Sequence, residues 1–344
     1  MYRFDNDYGC GAHPLVMEEL QANNEVGFEG YGMDPCCKQA EEEILKHLDS
    51  PRAAIHFLEG GTQANKTVIA AALRPWQSVI SATTGHIHSH ETGAVESSGH
   101  KIELIQSEDG RISAEQVLTI VEEYKNSEVQ EHITQPKMVY ISFPTEMGTL
   151  YSLKQLEELH QICRQNGLYL FLDGARMGYG LGAEDCDVTL KDISRLTDVF
   201  TIGGTKCGTL MGEAVVLCNP QLQTGFRSAM KQEGAMMAKG WVIGLQFHTL
   251  FKDGLYFEIT RQADEYAQRI RQAFESEGIA PYVDSHTNQQ FFVLNKQQLD
   301  YLEKNYVFSH WTKIDENYTM IRVCTSWSTT RDQVEALISN IERL

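Results

Sequence analysis

Between residues 53 and 218 short apolar runs alternate with longer segments in which apolar residues recur every three or four positions. Short continuous apolar runs fit strands buried on both faces, and 3.6-residue spacing fits helices with one buried face. Runs at 53–57, 78–82, 101–105, 138–143, 168–173, 198–202 and 213–218 therefore predict seven strands of a mostly parallel sheet. Helical spacing fills 62–73 and 153–166, and Gly167 supplies the stop for the second of these. Pro220 opens a helix predicted to reach residue 233, and helical spacing resumes at 239–251 before Asp253-Gly254 breaks it.

Beyond that break the pattern changes to a long amphipathic helix at 255–277, a strand at 290–294, a helix at 297–305, a strand at 319–324 and a helix at 331–343. The expectation is an α/β protein with a large domain over 1–252, whose N-terminal segment reaches the site, and a small C-terminal α/β domain over 253–344. A composition of 42% hydrophobic and 22% charged residues is ordinary for a globular protein and leaves this picture intact. The charge of −18 argues against nucleic acid and anionic membrane surfaces as partners. The opening residues lack a basic and apolar leader, no apolar stretch is long enough to span a bilayer, and the eight cysteines form no disulfide framework. A cytoplasmic location is expected.

Four features carry candidate chemistry. The strand at 168–173 ends in Asp173-Gly174-Ala175-Arg176, at the sheet edge where α/β folds bind ligands. The strand at 198–202 runs into Gly203-Gly204-Thr205-Lys206, and the apolar flanks would desolvate the lysine and favour its neutral, nucleophilic amine. Upstream, Gly60-Gly61-Thr62-Gln63 joins a strand to a helix N-terminus whose N–H groups can cradle a phosphate. Gly85-His86 follows the next strand and offers a ring that could stack on a planar group.

In this order, and from Phe4-Asp5-Asn6-Asp7 to Arg322-Val323-Cys324-Thr325-Ser326-Trp327, the chain resembles the threonine aldolase and β-eliminating lyase group of pyridoxal 5′-phosphate (PLP) enzymes, in particular the low-specificity L-threonine aldolases. The resemblance implies the aspartate-aminotransferase fold type I and retro-aldol cleavage of a β-hydroxy-α-amino acid to glycine and an aldehyde. It makes Gly61, Thr62 and Gln63 the phosphate turn, His86 the ring-stacking histidine, and Asp173 the partner of the pyridinium nitrogen. Arg176 is the arginine beside it, Lys206 the lysine that holds the cofactor as an imine, and Arg322 the grip on the substrate carboxylate. Lys231 matches a basic residue near the site, and Lys239 stands where the family has an arginine that reaches the phosphate from a neighbouring subunit. Tyr31 is expected in the partner's site, which implies a homodimer or homotetramer with shared sites. The residue types suit the chemistry: an ionised Asp173 keeps the ring nitrogen protonated, and the planar guanidinium of Arg322 can hold a carboxylate through two hydrogen bonds.

Two departures bear on the reaction. The segment Ser142-Phe143-Pro144-Thr145-Glu146-Met147-Gly148 lacks the aldolases' second histidine, leaving Glu146, His88, His90 or a water as the base for the β-hydroxyl. The N-terminal Arg-Ser-Asp-Thr pattern is replaced by Asp5-Asn6-Asp7-Tyr8, with Asn6 a candidate donor to the substrate carboxylate. The same scaffold also permits β-elimination to a keto acid and ammonia. A reading from another class is a metal-dependent hydrolase, because His86, His88 and His90 would share one face if their segment were extended.

Overall fold

The computed structural model describes all residues, 1–344. Seven strands form the central sheet: β1 (Ala54–Leu58), β2 (Gln77–Ala82), β3 (Ile102–Ile105), β4 (Gln135–Ser142), β5 (Tyr169–Asp173), β6 (Val199–Gly203) and β7 (Glu213–Leu217). Their order is β1-β7-β6-β5-β4-β2-β3, and only β7 runs against the others. The expected mostly parallel seven-stranded sheet is thus what forms. Its strands read as continuous apolar runs because both faces are covered: Leu170 and Leu172 of β5 enter one large core and Phe171 the other. On β7, Ala214 and Val216 divide from Val215 and Leu217 in the same way. Each fully buried Leu, Val or Phe side chain among them contributes roughly 1.5–3 kcal/mol relative to exposure.

Local signals account for the helices that flank the sheet. Leu153–Asn166 starts on a Ser152/Gln155 capping box and ends at Gly167, whose φ of 65° belongs to the left-handed region. The helix expected over 220–233 is instead two, Pro220–Gln223 and Phe226–Gln232, because Gly225 between them takes a φ of 75°. Helices Pro14–Ala22, Pro35–Leu45 and Ala114–Lys125 also form, beyond those expected.

Toward the C-terminus a second, three-stranded antiparallel sheet has the order β9-β10-β8, from β8 (Gln289–Asn295), β9 (Ser309–Lys313) and β10 (Tyr318–Cys324). Helices Leu255–Ser276 and Arg331–Ile341 pack on it around Phe274, Phe292, Ile321 and Leu337. Phe4 belongs to this smaller core, Tyr2–Arg3 pairs with Tyr306–Val307, and the Cys324 amide donates to the Phe4 carbonyl at 2.7 Å. The first residues therefore dock on the C-terminal unit before the chain crosses to the large sheet. No helix is long and apolar enough to cross a membrane.

Candidate active site

Parallel neighbours deliver their following residues to one sheet edge, and four adjacent strands do so here. Lys206 follows β6, Asp173 ends β5, Ser142 ends β4, and His86 follows β2. The chain passes from one side of the sheet to the other between β2 and β4, the kind of crevice in which open α/β sheets bind ligands. A cavity of about 370 Å³ opens there, lined by Gly60, Gly61, Thr62, Asn65, His86, Glu146, Asp173, Arg176, Lys206 and Glu213 among others.

Asp173 forms the floor of a dense polar network. Its Oδ2 accepts from Tyr140 Oη at 2.6 Å and from Asn65 Nδ2 at 2.8 Å, and its Oδ1 accepts the Ala175 amide at 2.9 Å. Burial opposes its ionisation, but the Tyr140 hydrogen bond, the nearby His86 ring and Asn65 prevail and hold the carboxyl below its ordinary range. Asn65 also donates to Glu91 Oε1 at 2.9 Å, and the same oxygen pairs with His86 Nδ1 at 2.7 Å. The chain Asp173–Asn65–Glu91–His86 thus fixes the imidazole relative to the aspartate.

Lys206 sits on the wall with no side chain holding its ammonium, and its carbonyl accepts from Tyr179 Oη at 2.6 Å. Burial and then the Arg176 charge push its pKa down, which raises the fraction of neutral amine. Arg176 is clamped by Asp7 through Nε at 2.6 Å and Nη2 at 3.0 Å, and Asn288 donates to the same aspartate at 3.0 Å. Despite burial, Arg176 and Lys206 hold Asp7 ionised, at about 2. Glu213 shows the opposite balance. Burial drives it up to about 8 against the attraction of Lys206, and its Oε2 has no partner.

At another side of the cavity, helix Gly61–Ala72 begins at Gly60 with no side-chain cap, and a Cβ built on Gly60 or Gly61 would meet nothing within 4 Å. Free helix N–H groups facing open space can hold an anion. With an ionised carboxylate, a deprotonation-prone lysine and a fixed imidazole converging on the same cavity, the residues fit PLP. Gln63, the third residue of the expected turn, does not line the cavity.

Arg322 lies at the C-terminal unit's side, buried, with Nη1 on Gln289 Oε1 at 3.1 Å, Nη2 on the Asp5 carbonyl at 3.0 Å and its plane 5.2 Å from the Trp311 ring centre. Its Nε has no partner. Asn6 folds back locally, donating to Asp5 at 2.9 Å and accepting the Tyr8 amide at 3.0 Å, and it is Tyr8 that reaches the cavity. Tyr31, Lys231 and Lys239 lie elsewhere: the Lys231 ammonium is 4.8 Å from the Tyr31 ring centre, Arg227 donates to the Tyr31 carbonyl at 3.0 Å, and Lys239 is exposed next in sequence to Ala238, whose carbonyl accepts the Tyr31 amide. Neither these three residues nor Asn6 and Arg322 line the cavity.

The metal reading is not supported. His86–Ser89 is a helical turn, not an extended segment, so His88 points to solvent and His86 is committed to Glu91. No group of three or more metal-ligating side chains converges anywhere in the chain. Sequence reasoning missed Asp7, Asn65, Tyr140 and Glu213 as parts of the site. An amide four positions after Gly61, in line with Val68, Ile69 and Ala72 on the helix, was the available signal for Asn65.

The sequence profile of the β-eliminating lyases matches residues 12–297. A low specificity L-threonine aldolase of Pseudomonas aeruginosa is 26% identical over 342 residues, covering 98% of this chain and 96% of that one. The solved threonine aldolase of Leishmania major superposes with a TM-score of 0.97 at 38% identity, covering 100% of this chain and 99% of the other. A serine palmitoyltransferase of Sphingomonas wittichii shares the fold alone, with a TM-score of 0.74 at 15% identity over 99% of this chain and 86% of that one. The architecture is that of fold type I PLP enzymes, and this chain belongs to the β-eliminating lyase family.

Proposed function

We propose that this protein is a PLP-dependent aldolase that cleaves the Cα–Cβ bond of a β-hydroxy-α-amino acid to give glycine and an aldehyde. The observation that carries the reading is the convergence of Lys206, Asp173, His86 and the uncapped Gly60-Gly61-Thr62 helix start on one cavity, in a chain superposing on a threonine aldolase. PLP, when bound, supplies an electron sink for the charge left on the substrate's α-carbon. Lys206 would carry the cofactor and, when released, give and take the α-proton. Asp173, kept ionised by Tyr140 and Asn65, would hold a proton on the ring nitrogen, and His86, locked by Glu91, would pack against the ring. Gly61 and Thr62 would bind the phosphate through N–H groups.

Arg322 is the reading's carboxylate grip, since its unpartnered Nε leaves a donor to spare. Arg176, clamped by Asp7, serves better as a fixed positive wall than as a mobile ligand. Tyr31, Arg227, Lys231 and Lys239 belong in this reading to the site of a second subunit, which makes the enzyme a homodimer or a doubled dimer. The free state of all eight cysteines suits a cytoplasmic enzyme.

Product analysis on L-threonine, L-allo-threonine, serine and cysteine tests the proposal. Glycine plus acetaldehyde from either threonine is expected, and keto acid plus ammonia as the main products would replace it with elimination.

A further inference from the structure

The reaction just proposed needs a base for the β-hydroxyl. The turn after β4 puts Glu146 in the cavity wall beside His86, nine-tenths buried. Its Oε1 accepts from Ser142 Oγ at 2.7 Å and from the His86 amide at 2.9 Å, which orients the carboxylate and leaves Oε2 without a side-chain donor. We infer that Glu146 is the general base that takes the proton of the substrate's β-hydroxyl. The inference rests on the aldolase reading above.

The step balances within the substrate and the carboxylate. The O–H proton passes to Glu146, the O–H electron pair becomes the second bond of the aldehyde carbonyl, and the Cα–Cβ bond breaks. Its electrons stay on the α-carbon, which takes up a proton to become glycine. No oxidant or metal is required.

Other candidates are placed less well. His88 faces solvent, and His90, exposed at the rim with its ring centre 5.5 Å from His86 and 6.0 Å from Trp311, does not line the cavity. His86 has Nδ1 engaged with Glu91. Around Glu146 stand His86 and Glu91 from the segment after β2, Tyr140 and Ser142 of β4, Asp173 of β5, and Tyr151. Burial, helped by the Asp173 charge, outweighs the Ser142 hydrogen bond and His86 and raises the carboxyl above its ordinary range. A carboxylate so raised is the stronger base at neutral pH.

The test is Glu146→Gln in the holoenzyme, since glutamine keeps the shape and the Ser142 contact but accepts no proton. Threonine cleavage should fall on the order of 10²–10⁴-fold, while exchange of the glycine α-proton with deuterated water, the visible cofactor band and the melting temperature stay at the wild-type level. Glu146→Asp should restore part of the cleavage, and His90→Asn should retain all of it. The acid limb of the wild-type kcat/KM profile should vanish in Glu146→Gln. Cleavage undiminished in Glu146→Gln, cleavage and glycine exchange falling together, or loss of cleavage in His90→Asn instead would each overturn the assignment. A wild type that exchanges glycine yet never yields aldehyde from threonine would break the aldolase reading itself, a result distinct from all of these.

Discussion

Asp173, His86 and Lys206 are held inside one chain by neighbours that are themselves buried, whereas Tyr31, Lys231 and Lys239 stand on a separate, largely exposed patch with Arg227 and do not line the Lys206 cavity. Tyr31 is 47% exposed and adopts a φ of 62°, a strained backbone for a tyrosine that is held by hydrogen bonds to Ala238 and Arg227. The resemblance places Tyr31 and the Lys239 position in a partner's site, and within one chain the two groups do lie apart. A site shared between two copies of the chain would produce that separation: a wall within each subunit, and a patch that serves the other.

Subunit complementation should give the largest effect. Lys206→Ala and Tyr31→Ala homo-oligomers should both be inactive or nearly so, but co-expressed they should regain activity, because a mixed dimer contains one site with neither lesion. Failure to regain any activity, with both variants folded, would place Tyr31 and Lys206 in the same chain's site or Tyr31 in none.

A smaller effect separates two buried acids, Asp7 behind Arg176 and Glu213 beside Lys206. Asp7→Asn leaves the buried Arg176 without its anion, so urea unfolding should show a loss of about 3–5 kcal/mol. Glu213 should behave oppositely. In the folded chain it titrates at about 8 against 4.5 for an ordinary glutamate, so between those values the folded state binds the extra proton and stability declines as pH rises. In the cofactor-free protein, the stability advantage of Glu213→Gln over wild type should therefore be constant below about 4.5 and widen on the order of 1.4 kcal/mol per pH unit up to about 8. A gap independent of pH would show that Glu213 is not held protonated.

The smallest effect concerns the C-terminal unit. Arg322→Ala removes charge-assisted hydrogen bonds worth about 1.5–3 kcal/mol, so kcat/KM for threonine should drop roughly 10- to 150-fold while cofactor binding is kept. An unchanged kcat/KM would move the carboxylate grip to another cation.

The sequence made the strand-end residues legible because buried parallel strands announce themselves as apolar runs, and the residues after each run land on one edge of the sheet. That pattern placed Asp173 and Lys206 at the edge, and the family resemblance supplied their roles. The clamp of Asp7 on Arg176 spans 169 positions, and only the docking of residues 2–4 beside Tyr306 and Cys324 creates it, so no local pattern could reveal it. β9, reading Ser-His-Trp-Thr-Lys, is an exposed edge strand without an apolar run and was invisible for that reason. Helix Ala114–Lys125 was different: its Ser113/Gln116 capping box was present in the sequence and sufficient to place it. The alternating histidines misled because period-two spacing signals a shared face only in a strand, and that segment is a helical turn.

The most direct measurement of the central claim is borohydride reduction of the yellow holoenzyme followed by peptide mass mapping. The account predicts one pyridoxyl adduct per chain, on Lys206, with the visible band lost on reduction and never formed in Lys206→Ala. An adduct on another lysine, or a colourless wild type that takes up no cofactor, would contradict it.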